Sequence, residues 1–432
     1  MNKKPKKNKK DKKPLSKKKK ILIFLIIFLV LAGGATAAYF LFFRNSEETS
    51  SENGSSESVK TVSKKFYDNL TGETISYSGT QYNADGSEKL DENGQKIVYT
   101  ELQAEQYADN NNTKSISCVQ IPNGTDARPQ VGLTDAKIVF EAIAEAGITR
   151  FAAIYRGSSD AVIGPVRSLR MYYLEWDDPF DCTIVHAGGE ANALNAVKSY
   201  KHLSESRTYM WRDYSGWTAP NNLFTSGELL TKFNTDNNYN SSSPKVFARM
   251  TPDESNEQLK EIRAEQNTEN SENAEETTKK YTAANNIYVH VTTAANYNVN
   301  YTYDSTTNTY LRSYEGSSGK HMVYSCKNLN KSGNNIKPKQ DCESVQVAPK
   351  VVVVMKVSEQ TNQINHYRED LTTTGSGDAY IFQNGIVIEG TWEKKKVSSQ
   401  LVFNDKSGNI INLAPGQTFI TAIAKSYGYV KY

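Results

Sequence analysis

Seven polar residues set among apolar stretches carry the side chains that could do chemistry: Arg128, Glu141, Glu145, Arg150, Arg167, Arg170 and His186. Two carboxylates can divide the work of acid and base if their surroundings push their pKa values apart. Arginines hold carboxylate- or phosphate-bearing ligands through their forked donors. His186, followed by Ala187-Gly188-Gly189, would bring an imidazole to the edge of a cleft. The plainer reading is that Glu and Arg pair with each other as structural ion pairs, with Arg150 also stabilising a helix C-terminus. A metal held by Glu141, Glu145 and His186 is weighed and set aside, because carboxylates four apart are common on helix surfaces. Gly188-Gly189 ahead of a helix resembles an anion site, but Glu190 in the first turn would repel an anion and favours a simple tight turn. No metal and no cofactor is expected.

The elements that must position these residues read as helix, strand, strand, helix. Asp135–Ala146 has Thr134 at the N-cap, Gly147 at C′ and a stripe of Val139, Ala142, Ile143 and Ala146, which predicts a helix carrying Glu141 and Glu145 on one flank. Phe151–Tyr155 and Cys182–Val185 predict buried strands, and Glu190–Tyr200 predicts a helix. There is no G-x-S-x-G, H-E-x-x-H, C-x-x-C or Walker loop. Gly316–Lys320 is too short between its glycines for a phosphate loop and predicts a hairpin loop; Gly375-Ser376-Gly377 lacks the third glycine of a dinucleotide fingerprint.

These residues carry a resemblance. Ala127-Arg128-Pro129-Gln130-Val131-Gly132-Leu133, Glu145-Ala146-Gly147-Ile148-Thr149-Arg150, Ile163-Gly164-Pro165-Val166-Arg167-Ser168-Leu169-Arg170 and Val185-His186-Ala187-Gly188-Gly189 occur in that order. Gly375–Phe382, Glu389-Gly390-Thr391-Trp392 and Leu413–Thr418 continue the series. The chain resembles the YerB-like family of bacterial cell-surface lipoproteins, a domain of unknown function in two halves, from about Asp68 to the C-terminus. The resemblance implies placement and architecture and brings no reaction with it. Two departures stand out: Gly34 occupies the place of the family's lipobox cysteine, and Asn221 in Ala219-Pro220-Asn221-Asn222-Leu223 stands where a histidine is expected.

Beyond Asn285 the texture changes to β-branched and aromatic runs: Tyr288–Thr292, Lys350–Val357, Ala379–Phe382, Ile386–Ile388 and Phe419–Ala424. Asn384-Gly385 signals a hairpin, and Asp405–Asn409 and Pro415-Gly416 signal turns. Together they predict a small antiparallel β domain. Trp392 is read as core, with stacking on a sugar as the alternative. Cys326 and Cys342 bracket a polar loop, and a disulfide there would be worth about 3 kcal/mol. Cys118 and Cys182 either pair or remain buried thiols.

Charge and hydropathy divide the chain further. Residues 1–20 hold twelve lysines and one aspartate, a charge of +11, against 39 basic and 47 acidic residues in the other 412. That acidic bulk argues against nucleic acid as a partner of the folded domains. Ile21–Phe43 is a 23-residue run without a charge, long enough as a helix to cross a bilayer, and the lysines before it place the N-terminus in the cytoplasm. A cleaved signal peptide ending at Ala35-Thr36-Ala37 is the competing reading. The expected organisation is a tail (1–20), a transmembrane helix (21–43), a stalk (44–61), an α/β-type domain (62–253) with a polar insertion at 81–113, a charged linker (254–283) and a β domain (284–432). The fold class is therefore α+β behind a single anchor. The function expected is an extracytoplasmic binding or scaffolding protein at the cell envelope, partnered by the membrane and by a wall polymer or envelope protein. The alternative is an envelope hydrolase using Glu141 or Glu145 with His186.

Overall fold

β-branched runs from both halves of the chain meet in one sheet. The computed structural model describes residues 64–76, 83, 87–98, 100–157, 161–214, 216–269, 280–316, 319–326, 342–361 and 368–432. The lysine tail, the Ile21–Phe43 run and the stalk through Ser58 lie outside the described residues. Among the described residues no helix is long and apolar enough to cross a membrane.

Ten strands form the spine of the main sheet. In chain order they are β1 (Ile116–Pro122), β2 (Ile138–Glu145), β3 (Ile148–Arg156), β4 (Thr183–Val185), β5 (His202–Leu203), β6 (Val351–Val357), β7 (Gly375–Gln383), β8 (Ile386–Lys394), β9 (Val402–Asp405) and β10 (Thr418–Ala424). Their order across the sheet is β9-β8-β7-β6-β10-β2-β3-β1-β4-β5, with the short strand Thr282–Ala283 added beside β8. The joint between the halves is parallel: β10 pairs on one side with β6 and on the other with β2, Phe140 lying opposite Ile420. The 284–432 segment thus contributes parallel as well as antiparallel pairs, and the segment expected to link two domains lies between strands of one sheet.

The largest correction concerns residues 135–146. Ile138–Glu145 is a strand, not a helix, and its first seven residues are all buried. A strand covered on both faces shows no alternation, so its apolar run satisfies a helical stripe equally well. Ala146 and Gly147 both have positive φ and form the tight turn of the β2–β3 hairpin, which is what Gly147 is for; Thr134 and Asp135 belong to a single 3₁₀ turn. Asn384-Gly385 makes the expected hairpin between β7 and β8, again with two positive φ angles.

Two polar stretches are more ordered than expected. The end of the 81–113 insertion is helix α1 (Glu101–Thr113), started by a capping box in which Thr100 and Gln103 satisfy each other's backbone amides. Residues 252–269, which overlap the expected linker, form helix α2 (Pro252–Glu269), and residues 270–279 lie outside the described residues. Thr251 and Glu254 cap it reciprocally, Ile262 is buried, and Gln258 accepts a hydrogen bond from Asn384 in the β7–β8 turn.

Two faces of the sheet are covered. On one, helix α3 (Met171–Asp177) lays Trp176 against Phe140, stacked at 5.6 Å, in a core that runs from Ile116 to Trp392 and Phe403. Trp392 is core, its indole N–H donating to the Lys356 carbonyl at 2.8 Å. On the other face Val119, Val139, Phe151 and Phe419 form a second core, and Val352, Val354 and Phe382 a third. Both cysteine pairs are disulfides: Cys118–Cys182 joins β1 to the residue before β4, and Cys326–Cys342 closes the polar loop.

Candidate anion-binding site

Backbone register decides what Glu141 and Glu145 can do. Glu141 lies opposite Phe151 and Ala142 opposite Arg150, but a bulge between Ile143 and Glu145 breaks the alternation. Glu141 consequently shares a face with Thr149, and Glu145 shares the opposite face with Arg150. The two carboxylates expected on one flank stand on opposite sides of the sheet.

Glu141 is sealed. Its two oxygens accept from Nη2 of Arg312 at 2.9 and 2.8 Å, and both side chains are fully buried. Thr149 Oγ1 donates to it at 3.0 Å and Asn123 at 3.3 Å. His321 contacts the Arg312 guanidinium through Nδ1 and Gln130 through Nε2. Burial, reinforced by Arg312 and Arg128, pushes the His321 imidazole well below its ordinary pKa, so it is neutral. Burial alone would lower the Arg312 pKa, but Glu141 together with Tyr314 and Tyr301 outweighs it and holds the guanidinium charged. Arg128 belongs to this cluster: its guanidinium lies 3.6 Å from the Tyr314 ring centroid, Nε donates to Asn123 and Nη2 to the Asn296 carbonyl.

Glu145 is open, its side chain 34% exposed. Arg150 reaches it at 3.1 Å and Arg170, the residue ahead of helix α3, binds its other oxygen. Both arginines are buried and also donate to backbone carbonyls, of Ser168 and Leu169. Burial would raise the Glu145 pKa, but Arg150, Arg170 and Arg167 together hold it below the usual carboxylate value. Arg150 is pulled down to about 10 by burial and by Arg170, against the attraction of Glu145.

Arg167 completes the group. Its backbone is fixed between the two edges of the β1–β4 pair, N–H donating to Gln120 O and C=O accepting from Ala187 N. Its guanidinium is half-buried, feels Glu145 and Asp126 as well as Arg170 and Arg212, and makes no hydrogen bond among the described residues. The nearby carboxylates are already engaged: Glu145 by two arginines, Asp126 by Asn221 at 2.6 Å, and Glu205 by Arg212 at 2.5 Å. Arg150, Arg167 and Arg170 gather at Glu145, with Asp126 also within electrostatic reach of Arg167, and the Arg167 guanidinium, which makes no hydrogen bond among the described residues, is suited to an anionic oxygen ligand.

His186 stands apart. Nδ1 contacts the Gly188 carbonyl at 2.9 Å, the ring stacks on His202 at 6.1 Å, and Nε2 has no partner among the described residues. Burial lowers its pKa and keeps it neutral. Its contacts among the described residues lead to Gly188 and His202, and not to either of the carboxylates expected to work with it in a hydrolase. Among the described residues no group of His, Cys, Asp and Glu could hold a metal. Gly188 has positive φ and makes the tight turn ahead of the helix at Ala191–Ala196; Glu190 turns its carboxylate to Met171 N.

Sequence reasoning missed Arg312, His321 and Asn123. One signal was present: Tyr310, Arg312 and Tyr314 occupy the inward alternate positions of the strand Thr309–Tyr314. An arginine at an inward position requires a buried carboxylate, and Glu141 is that carboxylate, 171 residues away.

Known proteins share this arrangement of strands. A protein from Bacillus subtilis (strain 168) named "Putative lipoprotein YerB" is 27% identical over 314 residues, covering 71% of this chain and 80% of that protein. The crystal structure of YerB protein from Bacillus subtilis superposes with a TM-score of 0.56 at 23% identity, over 74% of this chain and 94% of the other, which is a likeness of fold. Residues 100–240 match the family described as protein of unknown function (DUF3048) N-terminal domain, and residues 287–420 match its C-terminal domain. The chain belongs to this two-part, YerB-like family.

Proposed function

We propose that the protein is anchored in the cell membrane by Ile21–Phe43, stands outside the cell, and binds an anionic group of a wall polymer at Arg167. The observation that carries this is Arg167: half-buried, with a buried Nε that has no hydrogen-bond partner among the described residues, and placed among Glu145, Asp126, Arg170 and Arg212. Burial of a cation without a partner costs free energy, and a ligand oxygen removes that cost. The extracellular placement is supported by the lysine-rich flank, by the uncharged 23-residue run, by two disulfides, and by the name of the Bacillus subtilis relative, which calls that protein a lipoprotein. With Gly34 in place of a lipobox cysteine, the helix does the anchoring in this chain.

Two experiments test the reading. Protease added to intact cells should digest the mass beyond Arg44, and protection until the cells are broken would overturn the placement. Full-length protein in detergent micelles should be retained on purified wall, and less so on wall stripped of its anionic polymer. Equal retention on both, or none on either, would overturn the ligand class.

A further inference from the structure

A second sheet offers a surface of different chemistry. Thr309–Tyr314, Val299–Asp304, Asn286–His290 and Tyr429–Lys431 form it, all antiparallel. Alternation sends Ile287, Val289, Val299 and Tyr301 into the core, so Tyr288, His290, Asn300 and Thr302 lie on the other face. The register sets Tyr288 opposite Asn300 on one side and Lys431 on the other, and His290 opposite Tyr429. Residues directly opposite share a face, so these groups form one outward surface.

Three rings cluster there. His290 and Tyr429 are stacked at 4.7 Å and 14°, and Tyr288 lies 5.9 Å from Tyr429. Tyr429 is 38% exposed, with Lys431 Nζ 5.3 Å from its ring centroid. Beside the cluster is a cavity of about 420 Å³ whose lining includes Asn286, Tyr288, Asn300, Thr302, Lys431 and Tyr432. Two carboxylates at its margin are already committed: Glu315 accepts from Tyr288 Oη at 2.9 Å, and Glu389 from Tyr432 Oη at 2.5 Å.

The chemistry of this surface selects its occupant. One lysine is too little charge for a polyanion, and the exposed groups are too polar for the aliphatic face of a partner helix. Ring faces, amides that both donate and accept, and a hydroxyl complement a molecule that pairs C–H faces with hydroxyl and amide groups and carries no net charge. We infer that the outer face of this sheet binds an uncharged glycan chain, with Tyr288 and Tyr429 as aromatic contacts and Asn286 and Asn300 as hydrogen-bonding partners. The wall as the source of that glycan rests on the placement proposed above; the recognition itself does not, and it is separate from the arginine site.

The test titrates full-length protein in detergent micelles with a soluble N-acetylglucosamine hexamer, followed by calorimetry. Saturable binding is expected, weakened tenfold or more by Tyr429→Ser and by Tyr288→Ser, two positions on the outward face where substitution spares the core, and unchanged by Arg167→Ala. No heat at millimolar hexamer, or binding indifferent to both tyrosine variants, would overturn the inference. Hexamer binding that persists in a chain shown to be intracellular would leave the recognition standing and remove only the proposed source. Loss of polyanion binding in Arg167→Ala alone separates failure of the arginine site from failure of this one.

Discussion

The β2–β3 hairpin carries a carboxylate on each face, and the two could hardly be used more differently. Glu141 meets one arginine through both oxygens, with every neighbour hydrogen-bonded and no exposure. Glu145 is shared between two arginines, stands next to a third that has no hydrogen-bond partner among the described residues, and is partly open. A matched and sealed pair serves the fold; an open carboxylate beside an unpaired guanidinium leaves hydrogen-bond donors over for a ligand. Residue type alone does not distinguish them, because both are glutamates among arginines in the same hairpin.

The largest effect expected is on the sealed side. Glu141→Ala strands Arg312 in the core and should cost about 3–5 kcal/mol in denaturant unfolding, whereas Glu141→Leu combined with Arg312→Met should cost less than either single change. Equal costs for the double and single variants would mean the pair is not coupled. Next comes the disulfide that ties the strands behind the open site. Replacing Cys118 and Cys182 by alanine opens a loop of sequence separation 64 and should lower stability by about 4 kcal/mol on the chain-entropy estimate. A third variant contrasts the two faces directly. Glu145→Gln should destabilise less than Glu141→Gln in the same melt, and it should tighten binding of a glycerol-phosphate oligomer because it removes the competing carboxylate.

The smallest effect is on pH dependence. His321 is neutral in the fold, its pKa depressed from the ordinary 6.5. Its contribution is complete above that value and is lost as the pH falls below it, because the unfolded chain then takes up a proton that the folded one refuses. Glu145 is held below the ordinary carboxylate value of 4.5, so its contribution survives to lower pH and is lost only as the pH falls through the acid range. Falling pH should therefore unload the sealed face first. His321→Gln should flatten the slope of melting temperature between pH 7 and 5, and an unchanged slope would assign it to other groups.

Much of the fold was legible in local pattern. Val351–Val357, Thr418–Ala424 and Ile148–Arg156 announce themselves by β-branched content, and Asn384-Gly385 by its turn chemistry. Ile138–Glu145 was not legible, because burial on both faces erases the period that separates strand from helix. The shared sheet was hidden for a different reason: the parallel pairing of β10 with β2 joins residues about 280 apart, and no local signal encodes it. At the site, the motifs that hold Arg150, Arg167, Arg170 and Glu145 bring these side chains near one another. Glu141, expected beside them, faces the other side of the sheet because a single bulged residue, invisible in spacing, reverses which face follows it. His186 is suggested by its type and its Gly-Gly neighbours, yet among the described residues it contacts Gly188 and His202.

The central claim is that Arg167 is held ready for an anionic oxygen ligand and the Glu141 cluster is not. Calorimetric titration of full-length protein in detergent micelles with a glycerol-phosphate oligomer, comparing the native chain with Arg167→Ala, tests it most directly. The account predicts salt-dependent binding that Arg167→Ala weakens at least tenfold, with a melting temperature that stays within about 2 °C because the residue is partly exposed and unpaired. Binding of equal strength in the two proteins, or no binding by either, would contradict it.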